Sequence, residues 1–598
     1  MRCVTDTAIA EPVNSSIGVR WDLTALFATQ DDCRAAMRDA IADCRRVRER
    51  YGGRVAKLDA GALASALEEL ASLENRLARV TSYAMLALSV DVTGEAERDL
   101  NVEIDRAEVE ARNLLRFFEL EWVAIDDERA APLIAAAQVK CNRHYLCSLR
   151  RFALHTRTES EEDMLKEREP AATSAWEILF NQVTSTLRVR FEGREATVDE
   201  LLGLVRDNRR ERRLGAYDAV FAALAPHAPV QAHIYDTLVS DRLAMDRVRG
   251  YAGFRAVRDL QNELPAASVD AMLDGVERRY SLAHRWFRRK ADLLGLERLA
   301  LADQYAPLGV PRRFTYPEAT ETVASALGQF SSRLESVARS LFAEKRIDAE
   351  PRVGKRGGAF CASVAQDAKP YLLLNFTENL DDVRTLAHEL GHGMQSELSG
   401  ERQTALAFRP PLALAEVPST FAEMIVFDRL LSNERDSQKR LALLASSIES
   451  SFGTIFRQTL MVRYEQAAYT LRSSGKALLP DRLCAMWLDA SRPFYGDTVE
   501  LPDGYRYGWA YIPHFIATRF YTYAYVFAHL VSRVLYARYR ADPDGFVGPY
   551  LDFLASGHCA SPAEQLAPLG IDIARGDWVD EGFGEIERLI ELAEREAA

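Results

Sequence analysis

Along most of this chain the apolar positions recur every three to four residues, the spacing of helices with one buried face. Leu58, Leu63, Leu67, Leu70, Leu73, Leu77 and Val80 predict one long amphipathic helix, and residues 91–124 continue with dense Glu and Arg on the wet side. Residues 30–51 are polar and helical in pattern, and the leading Trp21–Phe27 segment is expected to dock its aromatics onto these first helices. From 200 to 345 the helical period persists, broken at Pro226, Pro265 and the loop from Pro307 to Pro317, where a residue without an N–H ends each run. Ser174–Glu177 and Thr197–Glu200 both read as capping boxes. Two stretches change period. Residues 187–197 alternate apolar and charged positions around Glu192-Gly193, as a hairpin does. Tyr371 to Phe376 is an apolar run of strand length, preceded by the glycine-rich loop Gly354–Cys361. The pattern therefore predicts a mainly α fold with a small β-sheet, divided softly near residue 200 into regions 1–200 and 201–598.

Composition narrows the function. The chain has 598 residues, 48% hydrophobic and 27% charged, typical of a globular protein. Its net charge of −13 argues against nucleic acid, which needs a basic face. No apolar run reaches membrane-spanning length; the nearest, Phe520 to Leu535, carries His529 and Arg533 and reads as a buried helix. Met1 to Val19 lacks a continuous apolar signal segment. The 8 cysteines have no paired spacing, which fits a reducing compartment, and a cytoplasmic location is expected. Cys141-x-x-His144-x-x-Cys147 is read as a packed helix face, since no fourth ligand is in view.

The sharpest feature is His388-Glu389-Leu-Gly-His392, set in a helical pattern that Asn379 or Asp381 can cap. Two histidines one turn apart leave the same face about 6 Å apart, close enough to share one zinc ion at roughly 2.0–2.1 Å each. Glu389 can reach water at that ion without ligating it. A chain with 10 His meets this pattern by chance on the order of 0.01 times, so chance is a poor account. A catalytic zinc needs a third protein ligand. Gln395 and Leu398 stand where a Gly and a His would continue the motif in another class, and Glu397 lies about 13 Å along the axis, too far. Glu416 and Glu423, seven apart on a following helix, remain, and the residues alone do not separate them. In the glycine-rich loop, Lys355 precedes the glycines, which argues against a phosphate cradle. Gly357 and Gly358 would let a peptide backbone come close, with Ala359 and Phe360 completing a candidate substrate-binding loop. The strand at 371–376 offers an edge where a peptide could add, or is an ordinary covered strand.

These motifs together resemble the oligoendopeptidase F-like branch of the thimet oligopeptidase family of zinc metallopeptidases. The matching features are His388-Glu389-Leu-Gly-His392-Gly-Met, Glu416-Val-Pro-Ser419-Thr-Phe-Ala-Glu423, and the Tyr-rich segment Tyr511 to Tyr525. Lys355-Arg-Gly-Gly-Ala-Phe360, Trp21-Asp-Leu, Ser160-Glu-Glu-Asp and Ser174-Ala-Trp176 match as well. The resemblance implies a two-lobed clamshell with a deep central channel, one zinc ion on His388, His392 and Glu416, and Glu423 orienting a ligand histidine. It also implies that His514 with Tyr521 or Tyr523 stabilises the oxyanion. The expected activity is hydrolysis of internal bonds in short unfolded oligopeptides. A zinc exopeptidase and a non-catalytic peptide binder with structural zinc are the alternatives.

Overall fold

The computed structural model describes residues 14–309 and 312–597; the expectation about the first 13 residues lies outside the described residues. The chain is 72% helix and 3% strand, the mainly α fold that the apolar period predicts. Helices Gln30–Tyr51, Ala60–Val90 and Glu95–Ala124 stand where expected. Phe520 to Leu535 falls largely in the helix Tyr523–Ala541, with Val526, Leu530, Val531 and Val534 buried. No helix among the described residues is long and apolar enough to cross a membrane.

Buried apolar residues form two clusters, one for each of two lobes. The smaller runs from Leu26 to Leu146 and adds Ala362, Val364, Ala365 and Tyr371. The larger runs from Phe180 to Ala593. The hairpin β1 (Val189–Phe191) and β2 (Arg194–Ala196) packs Val189 and Ala196 into the larger cluster. Glu192 and Gly193 at its turn both have positive φ, 47° and 80°, the mirror-image turn that suits the strand twist. Of the two capping boxes, Thr197 and Glu200 make theirs. Ser174 does not, because the helix already starts at Thr173.

The lobes meet along a three-stranded sheet. After β3 (Leu299–Ala300), it comprises β4 (Ile347–Asp348), β5 (Phe360–Ala362) and β6 (Tyr371–Leu373), in the order β4-β6-β5, with β6 parallel to β4 and antiparallel to β5. Successive side chains of a strand face opposite ways. Tyr371 accordingly enters the smaller core, and Leu372 and Leu374 enter the larger. Burial on both faces explains the unbroken apolar run. It also corrects the expectation of a peptide-accepting edge at 371–376: β6 is the central strand, and a free edge belongs to β5. Trp21 packs against the smaller cluster at the sheet, edge-on to Tyr371 at 5.9 Å and 6.5 Å from Phe360. Phe27 packs against the same cluster and meets Tyr83 of the second helix at 5.5 Å.

His144 is not part of a simple packed face. Its Nε2 lies 2.9 Å from the Glu263 carboxylate, which also accepts from Ser148 Oγ at 2.7 Å and sits 2.6 Å from Arg151. His558 approaches the same carboxylate at 3.0 Å. One buried acidic group thus joins the helix Arg143–Arg150 to two loops of the other lobe. Burial disfavours its charge, but the two histidines and Ser148 outweigh that and hold its carboxyl well below the usual range. A depressed carboxyl contributes stability that is full at neutral pH and fades as acid protonates it. Replacing Glu263 with Ala leaves this joint without its acceptor. Unfolding free energy should fall by about 3–5 kcal/mol, measured by urea denaturation at pH 7, with the deficit shrinking toward low pH.

Candidate active site

The helix Leu380–Arg402 carries the His-Glu-x-x-His motif. Asn379 caps it, accepting from the Asp382 N–H at 2.9 Å while Asp382 accepts from the Asn379 N–H at 3.0 Å. Val383, Leu386, Ala387, Leu390, Met394 and Leu398 are buried along one stripe, which fixes the rotation of the helix and turns His388 and His392 toward a common point. Their Nε2 atoms are 3.3 Å apart. Glu416, at the start of the helix Val417–Asn433, brings Oε2 to 3.4 Å from His388 Nε2 and 3.5 Å from His392 Nε2. Ser419 Oγ donates to that same oxygen at 3.1 Å.

This triangle fits a bound cation. Ligands 2.0–2.1 Å from a tetrahedral zinc stand about 3.3–3.4 Å apart. His388 Nδ1 lies 2.7 Å from Glu423 Oε1, so its proton sits on that side and Nε2 presents a lone pair. His392 is likewise held by the backbone of Ala415. Two lone pairs and a carboxylate oxygen aimed at one point repel one another unless a positive charge lies between them. Of the three carboxylates Glu389, Glu416 and Glu423, Glu423 contacts the Arg384 guanidinium at 3.1 Å; the surplus is negative. His388, His392 and Glu416 keep 21–29% of their side chains exposed, so water reaches the fourth position that a catalytic ion needs. Glu401, in the last turn of the same helix, pairs with Arg333.

Gly391 makes the triangle possible. A Cβ there would stand 2.5 Å from both Pro418 O and Ser419 Cα, so only glycine lets the two helices touch where Glu416 enters.

Protein charges alone pull the two imidazoles apart. Burial opposes charge on His388, but Glu416 and Glu423 outweigh it and hold His388 above its usual range. Burial pushes His392 down to about 4. Glu389 is buried and pushed up to about 7 by desolvation, with Glu416 and Glu423 adding to the rise. The backbone of Cys361, the middle residue of β5, hydrogen-bonds the Glu389 carboxyl. The edge strand therefore runs beside the candidate base. Gly357 and Gly358 are exposed at its head, Gly358 at φ 79°, and Asn375 Nδ2 ties the loop by donating to Gly358 O at 2.8 Å. Ala359 and Phe360 lead into β5, and the Phe360 ring also packs near Trp21. Lys355 is wholly buried, 2.7 Å from Asp348, which confirms that it serves the loop and not a phosphate.

The aromatic segment sorts its tyrosines. The His514 ring lies 5.9 Å from Tyr521 and 6.0 Å from Tyr525. Tyr525 is held above its usual range by burial, then by Tyr521 and by the Glu416 charge. Tyr523, a sequence candidate, is corrected. Two residues on, a helix has turned about 200°, and Tyr523 is fully buried beside Asp259 and Asn262. Phe520 holds φ 52°, a conformation costing a bulky residue about 1–3 kcal/mol. Its N–H is anchored by Glu465 at 3.1 Å, and this kink sets the direction of Tyr521. Burial and the Arg457 charge hold His514 below its ordinary range. Arg384 and Tyr525 were missed from sequence, although Arg384 stands four residues from His388, with which it shares Glu423, and Tyr525 four from its neighbour Tyr521.

Comparison with known proteins places this geometry. The family described as Peptidase family M3 matches residues 204–585, and the one described as Oligopeptidase F matches 121–188. An oligoendopeptidase F homolog of Lactococcus lactis subsp. lactis is 26% identical over 96% of this chain and 97% of its own. Oligopeptidase PepF of Bacillus subtilis is 24% identical over 90% of this chain and 83% of its own. The crystal structure of oligoendopeptidase-F from Enterococcus faecium shares the fold with TM-score 0.70 and 19% identity, covering 94% of this chain and 97% of that one. Replacing Gly391 with Ala should part the two helices at Glu416. Metal affinity is expected to drop about 10–100-fold, read by titration of metal-stripped protein, with a loss of about 1–3 kcal/mol in stability from overpacking.

Proposed function

The chain belongs to peptidase family M3 and is an oligoendopeptidase F-type peptidase, and on that premise we propose that it is a zinc-dependent endopeptidase cutting internal bonds of short unfolded peptides. The observation that carries this reading is the donor triangle of His388, His392 and Glu416, at 3.3–3.5 Å, with a buried carboxylate beside it. Those three residues would hold the ion, Nε2 of each histidine and Oε2 of Glu416 facing it. The chemistry zinc supplies in such a cradle is Lewis acidity, which acidifies water and polarises a carbonyl.

The chain's own residues do the rest. Glu389, raised by burial into the range of a working base, takes the proton of the attacking water and delivers it to the leaving amine. Glu423, held by Arg384, keeps the proton of His388 on Nδ1. The Nε2 lone pair then stays directed at the cradle. His514 with Tyr521 or Tyr525 donates hydrogen bonds to the oxyanion that develops as the carbonyl is attacked. The outer edge of β5, entered through the exposed Gly357 and Gly358, aligns the substrate backbone as an added strand past Glu389. In this reading residues 201–598 carry the chemistry.

Glu389 separates catalysis from mere binding, because a structural metal site needs no base. On a peptide blocked at both ends, Glu389→Gln should lower kcat by about 10²–10⁴-fold while metal content, read by elemental analysis, stays at one zinc per chain. Undiminished cleavage with the metal retained would falsify the mechanism, and failure of the parent to cut any doubly blocked peptide would point to an exopeptidase. The tyrosines offer a second check. Whichever of Tyr521 and Tyr525 serves the oxyanion should lose about 10²–10³-fold in kcat when changed to Phe. Tyr523→Phe should leave kcat within about twofold, and its effect should appear in stability instead.

A further inference from the structure

Arg457 stands near this site with no assigned task. It opens the helix Arg457–Ser473 directly after a π-helical turn over Phe452–Phe456, an irregularity that redirects the side chains following it and recurs at functional sites. Its Nη2 donates to the Tyr511 hydroxyl at 3.2 Å, and its charge is felt by Tyr305, Tyr495 and Tyr505. Among the described residues no carboxylate forms an ion pair with it. The neighbouring charges, by contrast, are matched. Lys290 binds Glu449, Arg206 faces Asp381 at 3.7 Å, and Arg210 and Arg213 share Asp303.

Arg457 is half-buried; such a cation without a counter-charge is unfavourable, and tyrosine hydroxyls are dipoles that do not neutralise it. Arg457 is also well placed. Its partner Tyr511 is three residues from His514, and its charge is felt by that imidazole. Tyr305 also lines a cavity of about 280 Å³ with Arg206, Leu380, Asp381 and Glu449, beside the first turn of the motif helix. A planar guanidinium with a hydroxyl at its side matches the two oxygens of a carboxylate.

We propose that Arg457, with the Tyr511 hydroxyl, anchors a carboxylate of the bound peptide, supplied either by its C-terminus or by an Asp or Glu side chain. The proposal rests on the peptidase reading above. An anchor fixed relative to Glu389 favours peptides that place a negative charge at that one distance, so it selects either length or an acidic residue.

The test uses the zinc-loaded full chain and one internally quenched peptide made in four forms. The C-terminus is free acid or amide, and the single acidic residue is Glu or Gln. The parent should prefer one member of a pair by about tenfold or more in kcat/KM, the scale of one charge-assisted contact, with the difference carried by KM. A preference for the free acid identifies the C-terminus, and a preference for Glu identifies the side chain. Arg457→Gln should abolish the preference and Arg457→Lys should restore part of it, with metal content and Tm recorded for each. Equal turnover of all four peptides by the parent overturns the anchor and leaves the peptidase reading standing. A preference that survives Arg457→Gln in folded, metal-loaded protein also overturns it. No turnover of any form removes both.

Discussion

The contact at Gly391 is the constraint on which the rest of the site depends. Two imidazoles on one helix make only part of a cation cradle; the third donor, Glu416, stands 24 residues after His392 at the start of another helix. Backbone must touch backbone for Glu416 to arrive, and only a residue without a Cβ allows it. The glycine inside the motif therefore sets a distance between helices. Everything closer to the reaction, from the tilt of His388 to the depth of Glu389, inherits that distance.

Around this contact the protein arranges its buried charge in pairs. Glu423 lies between Arg384 and His388, Lys355 meets Asp348, and Glu263 gathers two histidines, a serine and an arginine across the lobe joint. Each pairing limits what its members can do elsewhere. The lysine of the glycine-rich loop is unavailable to a ligand, and the histidine between two cysteines is drawn into a joint between lobes. Against this background two arrangements stand out: the donors facing one another at the cradle, and Arg457, which among the described residues has the Tyr511 hydroxyl but no carboxylate ion pair.

The sheet has a structural and a positional role. Its central strand is buried by one core on each face, which makes the two lobes share a wall. Its edge strand brings backbone groups beside Glu389. A substrate aligned on that edge would be oriented by the same element that joins the lobes.

Local pattern determined much of this protein. The helices, the hairpin turn at Glu192-Gly193, the Asn379 cap, and the pairing of His388 with His392 all follow from spacings of a few residues, because helical periodicity and capping are decided within one or two turns. Residue spacing alone left Glu416 and Glu423 as equals, and the family resemblance left Tyr521 and Tyr523 as alternatives. Tertiary structure separated them. Which carboxylate reaches an imidazole depends on how two helices cross, and which tyrosine faces His514 depends on the kink at Phe520. The outer edge of the sheet was likewise decided by strand order, since a covered strand and an edge strand can carry the same apolar run while only packing says which has a neighbour on both sides.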